Sequence, residues 1–313
     1  MKDTDPAPLP PLPLPLSFVS GFCMGGADAV PGVSGGTIAL ILGIYQRLID
    51  SIGTCLALPR LIGSPAGRAR LGGALRFLIP LGLGVVAAYW LATRLLVGPK
   101  DAPGLLRVAD TAPLCYAFFF GLVLASLREP WRRIEAPTWS HGLLALLGCA
   151  AAAAFVHLPH TQGEPEAWQL LYGGAGAIAV MLLPGISGSL LLLILGQYTT
   201  VAGAIHDREI GTLGIFVGGI LIGLALFVPL LRRLLASYPG RTMAVLTGLM
   251  AGSLFALWPW KNQYEPKAGP MHNVAMDGAL WPVLLAALAG AATVMLLAWL
   301  ERRIEAQGPP PSP

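Results

Sequence analysis

The sequence predicts an all-α polytopic membrane protein built as an inverted repeat, each half a re-entrant helical hairpin followed by three transmembrane helices. Three observations predict it: too little charge for a soluble surface, apolar stretches of membrane-spanning length, and a motif that occurs twice. Of 313 residues, 55% are hydrophobic and 12% charged, with a mean hydropathy of +0.68. Soluble domains carry about 25% charged residues, so roughly half the charge that solvates a globular surface is missing. Against that background a net charge of +4 marks cytoplasmic loops rather than a nucleic-acid surface.

Residues 1–16, MKDTDPAPLPPLPLPL, alternate proline with leucine. They lack the basic start and unbroken apolar core of a signal peptide and suit a disordered, extended cytoplasmic tail. Repeat 1 occupies 17–157: a hairpin over 18–56, then spans at 77–97, 112–127 and 141–157. Repeat 2 occupies 168–303: a hairpin over 168–205, then spans at 212–231, 242–258 and 280–300, with 304–313 as a second tail. The six spans lie near the roughly 17–25 residues that cross a hydrocarbon core. The two hairpin segments are too long for one helix and are interrupted by PGVSGG and PGISGS. Each arm, such as 18–30 or 36–48, reaches about 20 Å at 1.5 Å per residue, a little over half a bilayer.

The repeat rests on the breaks themselves. PGVSGGTIALILGIY (31–45) and PGISGSLLLLILGQY (184–198) agree at nine of fifteen positions. Weaker parallels follow, GVVAAYWLATRLL (84–96) with GLALFVPLLRRLL (223–235) and GLVLASL (121–127) with GLMAGSL (248–254). Charge separates crossing from returning. If both broken segments return to their own side, one face collects Lys2, Arg60, Arg68, Arg70, Arg76, Arg128, Arg132, Arg133, Arg232, Arg233, Arg241, Arg302 and Arg303. The other then holds Lys100, Arg107, Arg208, Lys261 and Lys267. If both cross, the bias vanishes, so the positive-inside rule favours hairpins and cytoplasmic termini. Three spans per half is an odd number, which inverts the second half. The two hairpin tips then meet near the midplane from opposite faces.

Backbone that leaves the helix at membrane depth must be buried in protein or line a wet cavity. Pro31 ends the incoming helix, and Gly32, Gly35 and Gly36 allow tight turns and close approach. Ser34 and Thr37 add hydroxyls where a new helix exposes its first N–H groups. Pro184, Gly185, Ser187, Gly188 and Ser189 repeat the arrangement. Two such helix starts facing each other favour an anion, phosphate above all; the plainer alternative is a pair of turns with serine caps. Asp28 lies in an otherwise uncharged arm, where a carboxylate is costly. It can exchange a proton, hold a cation, or cap the break, and its counterpart in the second repeat is Met181. Arg47 stands at the mouth of the first hairpin, as a phosphate-attracting or a snorkelling side chain. Arg94 near a span end reads as snorkelling. Tyr45 and Tyr198 hold equivalent positions as supporting or interfacial residues.

Cys23, Cys55, Cys115 and Cys149 read as small buried hydrophobes. The five histidines lie at loops or span ends, and no HExxH or Walker pattern is present, so neither a metal, a cofactor nor an enzyme is expected.

The stretches GADAVPGVSGGTIALILGIYQRLI and MLLPGISGSLLLLILGQY resemble the signatures of the bacterial polyprenyl-phosphate transporter family, over about residues 17–303. The resemblance implies a multi-pass protein of the bacterial cytoplasmic membrane that returns undecaprenyl phosphate, a lipid carrier of envelope synthesis, to the inner leaflet. The matching positions are Asp28, Pro31, Gly32, Ser34, Gly35, Gly36, Thr37, Tyr45, Arg47, Pro184, Gly185, Ser187, Gly188, Ser189 and Tyr198. The family pattern carries glutamate after each tyrosine, whereas this chain has Gln46 and Thr199, which moves any coupling role, to a proton or a cation, onto Asp28. The expected partners are the polyprenyl-phosphate lipid and surrounding membrane lipids. The competing readings are a channel or exchanger for a small inorganic anion and, more remotely, a phosphatase or transferase acting on lipid phosphate.

Overall fold

The structure is a computed structural model that describes residues 12–30, 32–98, 102–161, 163, 165–264, 271–278 and 280–306. Pro31 therefore lies outside the described residues, as does most of each predicted tail.

In the first half, the chain forms α1 (Leu14–Asp28), α2 (Gly35–Ile41), α3 (Tyr45–Leu56), α4 (Leu58–Leu61), α5 (Pro65–Ala92), α6 (Ala112–Ser126), α7 (Arg128–Arg132) and α8 (Trp139–Val156). A π-helical turn, Thr93–Val97, extends α5. The second half forms α9 (Ala167–Leu182), α10 (Gly188–Ile194), α11 (Tyr198–Asp207), α12 (Ile210–Ser237), α13 (Pro239–Ser253) and α14 (Leu280–Ala306). Among the described residues strand geometry is limited to one isolated bridge, between Lys261 and Asn273.

Among the described residues, five segments are long and apolar enough to cross a membrane: Pro65–Val97, Ala112–Arg132, Trp139–Val156, Ile210–Ser237 and Leu280–Trp299. Their outer surfaces carry exposed Leu83, Val86 and Trp90 on α5, Leu226 and Leu230 on α12, and Leu285 and Leu288 on α14. Side chains of this kind are stable in contact with lipid tails. The span expected over 242–258 is a shorter helix: α13 ends at Ser253, about 22 Å long, and the chain turns at Leu254–Leu257. The tail expected over 1–16 gives way to helix at Leu14, where Pro15 sits in the first turn and its missing N–H is no loss.

Helix pairing follows the sequence repeat. α1 runs along α5 as α9 runs along α12, α2 joins α1 as α10 joins α9, and α3 meets α5 as α11 meets α12. The remaining spans pair across the halves, α6 with α14 and α8 with α13. Without a hydrophobic drive between helices in lipid, close approach of small residues supplies the attraction. Gly21 and Gly25 lie on the α5 backbone at Leu81 and Val85, and Gly219 and Gly223 lie on α9 at Leu171 and Ala175. Gly121 and Gly290 do the same for α6 and α14, and Gly148 and Gly248 for α8 and α13.

One departure from the sequence reading concerns the outgoing arm of each hairpin. Residues 36–48 do not form one helix. α2 ends after seven residues, and α3 leaves it at 119°; α11 leaves α10 at 116°. The cause is a glycine-terminated helix end used twice. Gly43, at φ +67, donates its N–H to Leu40 O (3.3 Å), and Ile44 N–H reaches back to Ala39 O (3.0 Å). Gly196, at φ +71, does so to Leu193 O (3.1 Å), and Gln197 N–H to Leu192 O (2.8 Å). This double bond pattern satisfies the last carbonyls and turns the chain sharply, and only glycine takes the left-handed position without strain. α2 is buried along its whole length, at the centre of a core with Val30, Val33, Tyr45, Leu231, Leu246 and Met250.

Candidate functional site

The two breaks meet in the centre of the bundle. At the first, Gly32 turns at φ +93, and a β-carbon there would press on Ala256 and Leu257. Ser34, fully buried, adopts extended geometry and caps α2, its Oγ accepting from Gly36 N–H at 3.1 Å. The same hydroxyl donates to Met181 O at 3.2 Å. Asp28, three residues before the break, returns to the tip, and its Oδ1 accepts from Gly35 N–H at 2.6 Å.

α9 ends at Leu182, leaving final carbonyls that no following turn can satisfy. The first half supplies the donors. Ser34 reaches Met181 O, and Tyr45 OH donates to Leu182 O at 2.9 Å. In the other direction, Gly185 N–H donates to Thr37 Oγ1 at 3.0 Å. Buried as they are, each of these groups would otherwise be orphaned at a cost of several kcal/mol, so the two breaks lock one another. Gly36 leaves this approach unhindered, since a β-carbon would sit 3.3 Å from both Met181 O and Leu182 O, a tight contact.

The second break has the same backbone and different chemistry. Gly185 turns at φ +91, and Pro184 and Ile186 are buried beside it. Ser187 occupies the cap position of α10 but makes no side-chain cap. Its Oγ instead lies 2.8 Å from Ser189 Oγ. Ser187 is buried and Ser189 half-buried. Met181 stands where Asp28 stands in the first half, so no carboxylate closes this helix start. Gly188 is held against α9, where a β-carbon would come 2.8 Å from Ala177 O. The sequence reading, two open helix starts facing each other, is thus corrected at the first tip. Gly35 and Gly36 N–H are taken by Asp28 and Ser34.

The remaining predicted residues divide between the tips and their surroundings. Arg47 lies on α3, beyond the corner and about 10 Å of helix from the start of α2, with its guanidinium 5.8 Å from the Phe77 ring centre. Arg94 lies over Trp90 at 4.3 Å on the exposed end of α5, a snorkelling arrangement. Tyr45 is buried, whereas Tyr198 is half-exposed and lines a cavity of about 230 Å³ with His160, Thr161 and Thr199. The four cysteines are free thiols, and the described residues contain no cluster of ligands for a metal.

Sequence reasoning missed three residues. Tyr89 of α5 lies within electrostatic reach of both Asp28 and Tyr198; a lone tyrosine in an apolar span carries no pattern that announces this. Arg133 donates from Nη2 to Leu40 O at 3.3 Å, a cation on the negative end of α2. Gln197 replaces the apolar residue of the first corner. Its Nε2 donates to Gln169 O at 2.9 Å, while its buried Oε1 has no partner among the described residues.

With this geometry in place, similarity to other proteins is decisive. The profile of a family described as undecaprenyl phosphate translocase-like matches residues 24–274. The chain belongs to this family. It is 38% identical over 251 residues to a protein of Vibrio cholerae named polyprenyl-phosphate transporter, covering 79% of this chain and 78% of that one. A Staphylococcus aureus protein of the same name is 30% identical over 268 residues, covering 78% and 86%. No solved structure matches. The match to the translocase-like family begins at Met24 and so takes in Asp28 and both breaks. Nothing in the fold or in these relatives favours a small inorganic anion as the cargo.

Proposed function

We propose that this protein carries polyprenyl phosphate, and undecaprenyl phosphate in particular, across the bacterial cytoplasmic membrane without chemical change. The observation that carries the reading is the second break. An uncapped helix start with paired serine hydroxyls, held at the centre of an apolar bundle, belongs to a family whose relatives are named polyprenyl-phosphate transporters. Backbone N–H groups and two hydroxyls suit a lipid monophosphate. The prenyl tail stays in the bilayer beside the exposed apolar faces of α5 and α12, so the protein desolvates only the headgroup.

In this account the halves are inverted, with the arginine-rich ends of α5, α6 and α12 on the cytoplasmic side together with both termini. The first hairpin enters from the cytoplasm and the second from outside, so the phosphate at the midplane is shared by routes to both leaflets. Asp28 takes up a proton or a cation there. Its second oxygen is not needed by Gly35, and Tyr89 stands within electrostatic reach of it.

The test is redistribution of undecaprenyl phosphate between leaflets of liposomes containing the purified chain. Wild type speeds the exchange, and Ser187→Ala/Ser189→Ala slows it while remaining folded. Exchange no faster than in protein-free liposomes, under an imposed proton gradient or a sodium gradient, would overturn the reading.

A further inference from the structure

A second cavity, of about 510 Å³, lies away from the breaks, between α3 and α4 on one side and α12 on the other. Gly53, Pro59, Arg60, Ala225, Pro229 and Arg232 define it. Its size falls within the range of cavities that hold small ligands. None of the residues of the two tips lines it.

Three features make it a built site. Arg232 is fixed in place: Nε donates to Asp50 Oδ1 at 2.9 Å, and its stem lies flat on α3 where Gly53 leaves room. A β-carbon at Gly53 would come 2.8 Å from Arg232 Cδ and 3.0 Å from Nη1. Across the cavity, Arg60 is exposed and makes no ion pair among the described residues. Two guanidiniums against the single carboxylate of Asp50 leave one positive charge in excess. Finally, Pro229 lies inside α12 and has no N–H to offer the Ala225 carbonyl four residues earlier, which leaves an acceptor at the wall for a headgroup hydroxyl beside the guanidiniums. Exposed Leu58, Ile62, Leu226 and Leu230 flank the opening.

Guanidinium donors, an excess of one positive charge and an apolar rim match a monoanionic phosphate whose chains remain in the bilayer. We propose that this cavity seats the phosphate headgroup of an anionic membrane lipid, at the arginine-rich end of the bundle and apart from the transport site. Two lipids present such a group, a resident phosphodiester such as phosphatidylglycerol and, in its singly protonated form, the polyprenyl monophosphate on leaving the tips.

The full chain, purified in detergent, is titrated with phosphatidylglycerol or phosphatidylcholine, and bound lipid is counted by native mass spectrometry. Wild type retains phosphatidylglycerol in preference to phosphatidylcholine. Loss of one charge-assisted contact in Arg60→Gln, a substitution at an exposed position that leaves the fold intact, weakens retention by about tenfold. Ala225→Phe, which fills the cavity from α12, weakens it at least as much, and Ser187→Ala leaves it unchanged. Equal retention of the two lipids, or retention unchanged in both Arg60→Gln and Ala225→Phe, overturns the proposal. Undecaprenyl phosphate added to the Ser187→Ala/Ser189→Ala protein separates the two sources. Displacement of phosphatidylglycerol identifies the carrier lipid as an occupant, and no displacement identifies a resident lipid; both uphold the site. A transport defect in the serine variant with intact lipid retention sets failure of the transport reading apart from failure of this one.

Discussion

The two breaks share nine of fifteen residues and the same positive-φ glycines, yet they differ in what their polar groups do. At the first, Ser34, Thr37, Tyr45 and Asp28 all make hydrogen bonds within the protein, either closing α2 or satisfying the end of α9. At the second, Ser187 and Ser189 bond to each other and leave α10 without a side-chain cap. The first break is a keystone and the second a receptor. A duplicated motif preserves backbone geometry because glycine and proline positions dictate it, while side-chain chemistry diverges wherever one copy takes over the structural work of both.

The largest expected effect separates these roles. Ser187→Ala/Ser189→Ala lowers leaflet exchange by about tenfold or more, as loss of hydrogen bonds to a charged group implies, with an unchanged melting temperature. Ser34→Ala orphans Met181 O and uncaps α2, which costs about 1–3 kcal/mol, and it melts several degrees earlier. Equal behaviour of the two variants in both measurements would erase the distinction between keystone and receptor.

Asp28 sharpens it further. Asp28→Asn keeps an acceptor for Gly35 N–H and removes the charge, whereas Asp28→Ala removes both. Asp28→Asn melts near wild type with reduced exchange, and Asp28→Ala also loses about 1 kcal/mol of stability. If Asp28→Asn transports normally, the carboxylate is a cap and no more.

The corners behind the breaks give a smaller effect. Alanine at Gly43 or Gly196 pays for a left-handed backbone, about 1 kcal/mol each. At Gly196 the new β-carbon would also lie 2.7 Å from Thr161 O. Gly196→Ala therefore melts earlier than wild type by more than the left-handed backbone alone would cost, measured by tryptophan fluorescence in detergent.

A last effect, seen only on changing pH, concerns the loop that braces the first break through Ala256 and Leu257. Lys261 in that loop is buried over Tyr116, with Nζ donating to Asn273 Oδ1 at 3.0 Å. Burial pushes its ammonium down to about 8. Between that value and the usual lysine range the unfolded chain holds a proton that the folded chain has released, so stability rises with pH across that window. Below about 8 the burial penalty is fully present. Wild type accordingly melts a few degrees higher at the top of that window than at neutral pH, and Lys261→Met removes the rise.

Much of this architecture was legible in the residues. Low charge, span lengths and the repeated Pro-Gly-x-Ser-Gly announce a polytopic bundle with two breaks, and the helix pairing follows from the repeat. The corners were legible in principle: Leu-Gly before each tyrosine is a helix-end signal, masked by the apolar run on either side. The cross-half hydrogen bonds were not legible. Ser34 looks the same in sequence whether it faces a phosphate or a carbonyl, because its partner Met181 is remote in the chain and acts through its backbone. For the same reason Asp28 reads as an isolated intramembrane charge until Gly35 is seen beside it. Arg133 illustrates the limit again, since a basic residue in an arginine-rich turn gives no sign that it closes α2.

Direct imaging of the chain in lipid nanodiscs with undecaprenyl phosphate, by electron cryomicroscopy, tests the central claim. Phosphate density is expected within hydrogen-bonding distance of Ser187 and Ser189 hydroxyls at the start of α10, with Asp28 still on Gly35. Density that displaces Asp28 from Gly35 N–H, leaving the serine pair empty, would contradict the account.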